Sequence, residues 1–110
     1  MEAPHKAVEF IIKNAPKYAK AKSERVYLEE FRKSKKALLM KDALARGIEA
    51  ANAQEREAYA DEAYRELLTG LAAAIEAEET LRWQLEAARM RTDIWRTKQA
   101  NARMEMKATE

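Results

Sequence analysis

Residues 62–106 read EAYRELLTGLAAAIEAEETLRWQLEAARMRTDIWRTKQANARMEM, and this stretch decides the fold. It contains no proline and one glycine, Gly70, which weakens a helix locally without ending it. Asp61 stands just before the stretch, where its carboxylate can cap the first turn of a helix. The stretch therefore predicts one helix of roughly 65–70 Å at 1.5 Å per residue.

Apolar residues follow this predicted helix along one stripe. Successive positions alternate between steps of four and three residues, which is the spacing of a coiled-coil seam. The apolar members are Leu67, Leu71, Ala74, Leu81, Leu85, Ala88, Trp95, Ala102 and Met106. Glu78, Thr92 and Gln99 interrupt the stripe, and we expect Glu78 to pair with an arginine and to set the register of packing. A second apolar set, formed by Trp83, Ala87, Met90 and Ile94, lies about half a turn away.

The rest of the chain predicts three further helices. The first spans about 4–14 and ends before Pro16, which disfavours helical geometry in the preceding residue. The second spans 16–46, with Asn14 as its cap and Gly47 as its stop. The third spans 53–59 and follows Asn52, a residue type that often caps helices. With 47% hydrophobic and 36% charged residues and only two prolines, the chain is predicted to be a single all-α domain.

The two long helices carry apolar residues on more than one face. In the second helix one face comprises Leu28, Phe31, Leu38 and Leu39, and the other comprises Ala19, Val26, Ala37, Met40 and Leu44. An antiparallel hairpin or coiled coil of the two long helices covers one face of each, so the other faces need a further neighbour. We therefore expect a homodimer, most simply an antiparallel one that completes a helical bundle.

The residues needed for most kinds of catalytic site are missing. There is no cysteine, so the sequence excludes disulfides and thiolate metal sites. Glu2 and His5 have the spacing of a di-metal carboxylate bundle, but no second pair of this kind exists. Two glycines are too few for a phosphate-binding loop, and the sequence shows no Ser-His-Asp set and no nucleotide-binding fingerprint. We expect no enzyme activity, no cofactor and no metal.

The sequence also predicts where the protein resides. No apolar run approaches the ~20 residues of a membrane span. The first residues lack the basic and then apolar layout of a signal peptide. Together with the absence of cysteine, these features predict a soluble protein of the cytoplasm that does not contact membranes.

Charge is distributed unevenly along the chain. The net charge is +6 over residues 1–46, −7 over 47–81 and +3 over 82–110. In an antiparallel hairpin the start of the second helix lies beside the later half of the fourth, which predicts a basic end that binds nucleic-acid phosphates with little sequence preference. The candidate residues are Lys13, Lys17, Lys20, Lys22, Arg25, Arg89, Arg91, Arg96, Lys98 and Arg103. Tyr18 and Trp95 lie in the same regions and could stack on bases or belong to the core.

Arg82, Arg89, Arg96 and Arg103 form a regular row, spaced seven residues apart. Such a row flanking a seam is typical of salt bridges to a neighbouring helix. The same spacing could instead present cations to phosphates. The sequence leaves both interpretations open.

Three segments carry a resemblance to a known group. They are Lys20–Lys41, KAKSERVYLEEFRKSKKALLMK; Ala53–Ala60, AQEREAYA; and Leu81–Ala88, LRWQLEAA, with Trp95-Arg96 after it. Together they resemble small uncharacterised all-helical proteins of tailed bacteriophages and prophages. No activity is established for that group, so the resemblance transfers no site residue. It implies a setting beside DNA recombination or replication genes, or an action against host defence systems.

Two functions follow as hypotheses. The first is a non-enzymatic phage-type accessory protein that acts in DNA transactions through the basic helical surface. The alternative is a protein-binding inhibitor or adaptor of a host defence or nuclease complex, acting through the acidic residues 49–66 or through an exposed apolar face. The candidate residues of a partner-helix interface are Leu81, Leu85, Trp95, Trp83, Met90 and Ile94. A structural part of a virion or assembly scaffold is a third possibility.

Overall fold

A computed structural model describes residues 4–109, which form three helices. In chain order, α1 spans His5–Ala45, α2 spans Ala51–Ala60 and α3 spans Glu62–Thr109. Residues 4–109 contain no β-strand. The predicted all-α class is therefore confirmed, although the described part of the chain has three helices where the sequence predicted four.

The prediction that Pro16 separates two helices is wrong, because α1 continues through it. A proline inside a helix leaves the carbonyl four residues earlier without its donor, at a cost of about 3 kcal/mol. Here that carbonyl belongs to Ile12, and both Pro16 and Ile12 are exposed, so water can satisfy it. The less exposed positions of α1 continue past Pro16 in alternating steps of four and three residues, and this packing offsets the local cost. They are Ala7, Ile11, Asn14, Tyr18, Ala21, Arg25 and Leu28.

Asn14 does not cap a helix, as the sequence predicted, but lies buried within α1. Its Nδ2 donates a hydrogen bond to the carbonyl of Phe10 at 2.9 Å. Buried amides are almost always hydrogen-bonded, and a bond to the residue four positions earlier satisfies this need within one helix. Asn14 therefore occupies a packed position without needing a polar partner on another helix.

Gly47 ends α1, as predicted, with the left-handed φ of +97°. The Gly47 N–H donates to the carbonyl of Leu44 and the Ile48 N–H donates to the carbonyl of Ala43, both at 3.0 Å. This pair of bonds is the Schellman arrangement, which satisfies the last carbonyls of a helix. A Cβ at Gly47 would meet no neighbouring atom, so the backbone angle alone requires glycine here.

The start of α2 differs from the prediction, since the helix begins at Ala51 and Asn52 is not its cap. The side chain of Gln54 ties the preceding loop to the helix instead. Its Nε2 donates to the carbonyls of Ile48 at 2.9 Å and Glu49 at 3.2 Å. These bonds from inside the helix hold the entering chain, a role that the sequence assigned to the Asn52 side chain.

Asp61 caps α3, as predicted, because its Oδ1 accepts a hydrogen bond from the Tyr64 N–H at 3.0 Å. Glu62 adds a second carboxylate in the first turn, where it faces the positive end of the helix dipole. Gly70 does not interrupt the helix, which has 48 residues and a length of about 72 Å. The helix thus ends three residues beyond the predicted position.

The chain divides into two compact units. Unit 1 comprises the residues up to Ala19 and those from Glu79 onward, and unit 2 comprises Lys20–Glu78. Tyr64 and Leu71 in unit 2 are the large apolar side chains buried among the described residues. The other buried apolar residues are Ala7, Ala21, Ala43, Ala58 and Ala88. A core built mainly from alanine leaves many larger apolar side chains exposed.

The apolar stripe predicted on α3 is largely packed. Every member from Leu67 to Trp95 is buried or half-buried, including the interrupting Glu78. Ala102 and Met106 are exposed, so the prediction is wrong for these last two members. The packed stripe leaves the opposite side of α3 facing solvent in both units.

Candidate nucleic-acid interface

Unit 1 contains seven of the ten basic residues predicted to bind nucleic acid. Two lie on α1 and five on α3, namely Lys13 and Lys17, and Arg89, Arg91, Arg96, Lys98 and Arg103. Lys20, Lys22 and Arg25 lie in unit 2. Ten Lys and Arg against seven Asp and Glu give unit 1 a net charge of +3. Eleven against twelve give unit 2 a net charge of −1, so unit 1 is the more basic.

Five of the seven candidates in unit 1 are exposed and form no ion pair with any residue within 4–109. They are Lys13, Lys17, Arg91, Lys98 and Arg103. Lys20 and Lys22 in unit 2 share both properties. A cation without a carboxylate partner can bind a phosphate without first breaking an existing pair.

Three arginines of the regular row pair with carboxylates three positions earlier on α3. The pairs are Arg82–Glu79 at 2.7 Å, Arg89–Glu86 at 2.9 Å and Arg96–Asp93 at 3.6 Å. The hydrogen bonds that Arg82 donates to the Glu79 carboxylate are the main cause that raises the pKa of Arg82. The partners of these three arginines therefore lie on the same helix, and not on a neighbouring helix as one of the two interpretations of the row supposed. Exposed pairs of this kind contribute little to stability, so a phosphate can compete with them.

Arg25 is engaged inside unit 2. Its Nε donates to Oε2 of Glu78 at 2.6 Å, its Nη2 donates to Oε1 of Glu78 at 3.0 Å, and its Nη1 donates to Glu29 at 3.0 Å. Glu78 is only 6% exposed. The hydrogen bonds to Glu78 and then Glu29 raise the pKa of Arg25 above its ordinary value. The expected pairing of Glu78 with an arginine is confirmed, and the cation held by two carboxylates is no longer a phosphate-binding candidate.

Sequence reasoning missed this role of Arg25, although α1 carries a signal for it. Arg25 follows Ala21 by four residues and precedes Leu28 by three, so it continues the packed seam. The predicted break at Pro16 concealed the seam, because its repeat is visible only when α1 is taken as one helix.

The acidic residues 49–66 are partly neutralised within unit 2. The Nζ of Lys36 lies 2.7 Å from Oε1 of Glu55 and 4.9 Å from the centre of the Tyr59 ring. The hydrogen bond from Lys36 lowers the pKa of Glu55, and the bonds to Glu55 and then Tyr59 raise the pKa of Lys36. The Nη2 of Arg46 lies 3.7 Å from Oε2 of Glu57. These ion pairs neutralise part of the negative charge of residues 49–66, so the region is less acidic than the sequence alone indicates.

The six candidates for a partner-helix interface fall into two groups. Leu81, Leu85 and Trp95 are half-buried on the packed stripe of α3. Trp83, Met90 and Ile94 are 56%, 52% and 47% exposed. Only the second group is free to contact another molecule.

The aromatic candidates for base stacking are less accessible than the cations. Tyr18 and Trp95 are both half-buried, which favours their interpretation as packing residues. Trp83 is more exposed, and the guanidinium carbon of Arg82 lies 4.7 Å from the centre of its ring. The arrangement is a cation–π contact at the surface of unit 1.

The described residues contain neither a metal-binding cluster nor a membrane-spanning helix. Within residues 4–109 no cluster of three or more His, Asp and Glu side chains could hold a metal ion. Glu2, the predicted companion of His5, lies outside the described residues. Over the same range no helix has the length and apolar character needed to cross a membrane.

Comparison of the chain with protein-family models, with curated proteins and with solved structures finds no match.

Proposed function

We propose that the chain is a non-enzymatic accessory protein of DNA transactions, and that it binds nucleic-acid phosphates through the exposed cations of unit 1. The observation that carries the proposal is the set of five unpaired cations on two chain segments of one compact unit. Lys13 and Lys17 belong to one segment, and Arg91, Lys98 and Arg103 belong to the other. Contacts of this kind give affinity that depends on salt and hardly on sequence.

The setting proposed for this function follows from the resemblance to small proteins of tailed bacteriophages and prophages. Proteins in that setting would act in the host cytoplasm, beside enzymes of recombination or replication. The protein would supply binding and positioning to such enzymes and no chemistry of its own.

We propose further that the long helices form an antiparallel hairpin. Two ion pairs within unit 2 support this arrangement. Arg25 on α1 pairs with Glu78 on α3, and Lys36, further along α1, pairs with Glu55 on α2. As the residue number rises along α1, that of the partner falls, which is the order expected for an antiparallel arrangement. A homodimer would cover the apolar faces that one chain leaves exposed.

A mobility-shift assay with labelled single- and double-stranded oligonucleotides at 50 and 200 mM salt tests the proposal. The variant replaces Lys13, Lys17 and Arg103 with glutamine. We expect a loss of affinity of roughly tenfold or more at 50 mM salt, and a salt dependence lowered by about one per cation removed.

The matched control replaces Lys41, Arg56 and Arg65 with glutamine. These three cations are also exposed and unpaired within residues 4–109, but they lie in unit 2. We expect the control to bind almost as well as the original chain. Absence of binding at 50 mM salt, or an equal loss in both variants, would show that unit 1 is not a nucleic-acid interface.

A protein-binding inhibitor or adaptor is the second candidate function. It is favoured by Glu49, Glu62 and Glu66, which are exposed in unit 2 and form no ion pair within residues 4–109. Capture of one dominant bacterial protein in the presence of nuclease and high salt, lost when these three residues become glutamine, would support it over the first.

A further inference from the structure

The exposed side of α3 in unit 1 carries a second coiled-coil repeat. From Trp83 the positions alternate between steps of four and three residues, and all of them are exposed. They are Trp83, Ala87, Met90, Ile94, Thr97, Asn101 and Met104. The repeat covers three heptads, or about 32 Å of helix. Five of the seven positions are apolar, and Thr97 and Asn101 are polar. Apolar residues at such spacing are typical of a helix that pairs with another helix.

The positions within the repeat favour a pair of helices. Ala87, Ile94 and Asn101 occupy a positions, while Trp83 and Met90 occupy d positions. A β-branched residue at an a position favours two strands, and a single asparagine at an a position fixes the register of the pair. Ile94 and Asn101 have these two properties.

The flanks of the repeat have opposite charges. Glu86 and Asp93 occupy g positions on one side, and Arg91 and Lys98 occupy e positions on the other, where Glu105 at the last e position is an acidic exception. In a parallel pair, each g residue faces the e residue that lies five positions later on the other helix. Glu86 would then face Arg91 and Asp93 would face Lys98. In an antiparallel pair, g faces g and e faces e, so like charges would meet.

Arg91 and Lys98 have no carboxylate partner within reach on their own helix. Residues three and four positions away from each of them are uncharged, so no pair along α3 is possible. Neither forms an ion pair with a residue in the described part of the chain. Glu86 and Asp93 do pair along the helix, with Arg89 and Arg96, but these exposed pairs are weak and can exchange.

We propose that two copies of this chain associate through this face as a parallel, in-register, two-stranded coiled coil. The occupant is a second copy because the charge pattern is complementary to itself in this one orientation. The orientation differs from the antiparallel dimer expected from the sequence, because an antiparallel pair would bring like charges of the flanks together. In this pair Arg91 and Lys98 bind carboxylates of the second copy and no longer serve as phosphate-binding residues. Glu86 and Asp93 leave Arg89 and Arg96 in exchange, so these two arginines become available to phosphates in their place.

Sedimentation equilibrium of the full chain tests the association. We expect a mass twice the 12.6 kDa of one chain at 100 μM, and a dissociation constant raised at least 100-fold by Ile94→Glu. Ile94 is 47% exposed, so the substitution should leave the helical circular dichroism unchanged. A monomer at 100 μM would overturn the proposal and leave this face to another protein. A dimer that Ile94→Glu does not weaken would also overturn it.

Single cysteines test the orientation, because the chain has none of its own. In a parallel, in-register pair, Ala87→Cys and Thr97→Cys each face their own copy, so we expect both variants to form disulfide-linked dimers. Gln99→Cys, which is exposed on another side of α3, is the control and should not cross-link. An antiparallel pair could link only a cysteine near its two-fold axis, so linking of just one of the two variants would overturn the proposal.

Charge reversal tests the complementarity of the flanks. We expect Arg91→Glu with Lys98→Glu to raise the dissociation constant at least tenfold in a parallel pair, since all four facing charges become negative. Lys41→Glu with Arg56→Glu makes the same change of net charge on exposed residues of unit 2 and should have no such effect. Equal effects of the two variants would overturn the proposal. The dimerisation result is independent of the DNA-binding variant, which keeps Arg91 and Lys98.

Discussion

The two units of the chain use their charges differently. In unit 2, Arg25 pairs with Glu78 and Lys36 pairs with Glu55, and each pair joins two helices. In unit 1, the arginine pairs along α3 join residues three positions apart on one helix. A pair between helices depends on how they pack, whereas a pair along a helix forms in any straight helix.

The difference indicates which charges stabilise the structure and which remain available for binding. The cross-helix pairs of unit 2 include a nearly buried carboxylate, so their loss should alter folding. The pairs of unit 1 are exposed, and Lys13, Lys17 and Arg103 of unit 1 are exposed without an ion pair within residues 4–109. Substitutions at Glu78 and Lys36 test this contrast, and a substitution at Gly47 tests a turn of unit 2 that depends on no charge.

The largest effect is expected from Glu78→Ala. It removes a carboxylate that is 6% exposed and leaves the Arg25 guanidinium between helices with only Glu29 as a partner. Loss of one member of a buried pair strongly destabilises a protein, and we expect the free energy of unfolding to fall by about 3 kcal/mol. Urea denaturation followed by circular dichroism measures the change.

Glu79→Ala is the matched control, one residue further along α3. Glu79 pairs with Arg82 on the same helix, so its removal should leave the urea midpoint almost unchanged. Equal shifts for Glu78→Ala and Glu79→Ala would contradict the contrast between the two kinds of pair.

An intermediate effect is expected at the turn that lies within unit 2. Gly47 has a φ of +97°, which an L-residue with a Cβ adopts only at a cost. Gly47→Ala should lower the free energy of unfolding by about 1 kcal/mol, and Gly70→Ala, inside α3, should raise it slightly. Thermal unfolding of the two variants checks the opposite signs, and a stabilised Gly47→Ala would show that the turn does not need a left-handed residue.

The smallest effect is the pH dependence of the Lys36–Glu55 pair. Lys36 lowers the pKa of Glu55, so the pair stabilises the fold above the ordinary glutamate pKa of about 4.3. This contribution is lost as the pH falls through the lowered pKa of Glu55 in the folded chain. Lys36→Met should therefore lower the urea midpoint at pH 7, and the difference from the original chain should shrink as the pH falls below the ordinary glutamate pKa and through the lowered pKa of Glu55. A difference that does not change with pH would argue against the pair.

The sequence predicted the helix ends correctly where a terminal residue acts only on its immediate neighbours. Gly47 and Asp61 are of this kind, since a left-handed stop and a carboxylate cap depend on immediate neighbours. Pro16 and Asn14 were misjudged because their local preference for a helix boundary is overridden by packing along the whole of α1. That packing involves residues distant in sequence, which local preference does not describe.

The sequence predicted which residues of the candidate site are charged, but not which of them form ion pairs with one another. The basic residues were visible in the sequence, and so was the need of Glu78 for an arginine. Which arginine it would be depended on the alignment of α1 with α3, and this alignment follows from the complete packing of unit 2. The helical spacing of Arg82, Arg89 and Arg96 from their carboxylates could have been recognised from the sequence alone.

The placement of the two tryptophans has a spectroscopic consequence. Trp83 is exposed beneath the guanidinium of Arg82, while Trp95 is half-buried on the packed stripe of the same helix. Their fluorescence should therefore differ in emission wavelength and in quenching by iodide. Trp83→Phe leaves a single emitter on the packed side of α3, and Trp95→Phe leaves one on the outer side. With these two variants, intrinsic fluorescence can report separately on unfolding of unit 1 and on whatever covers its outer face, without an added label.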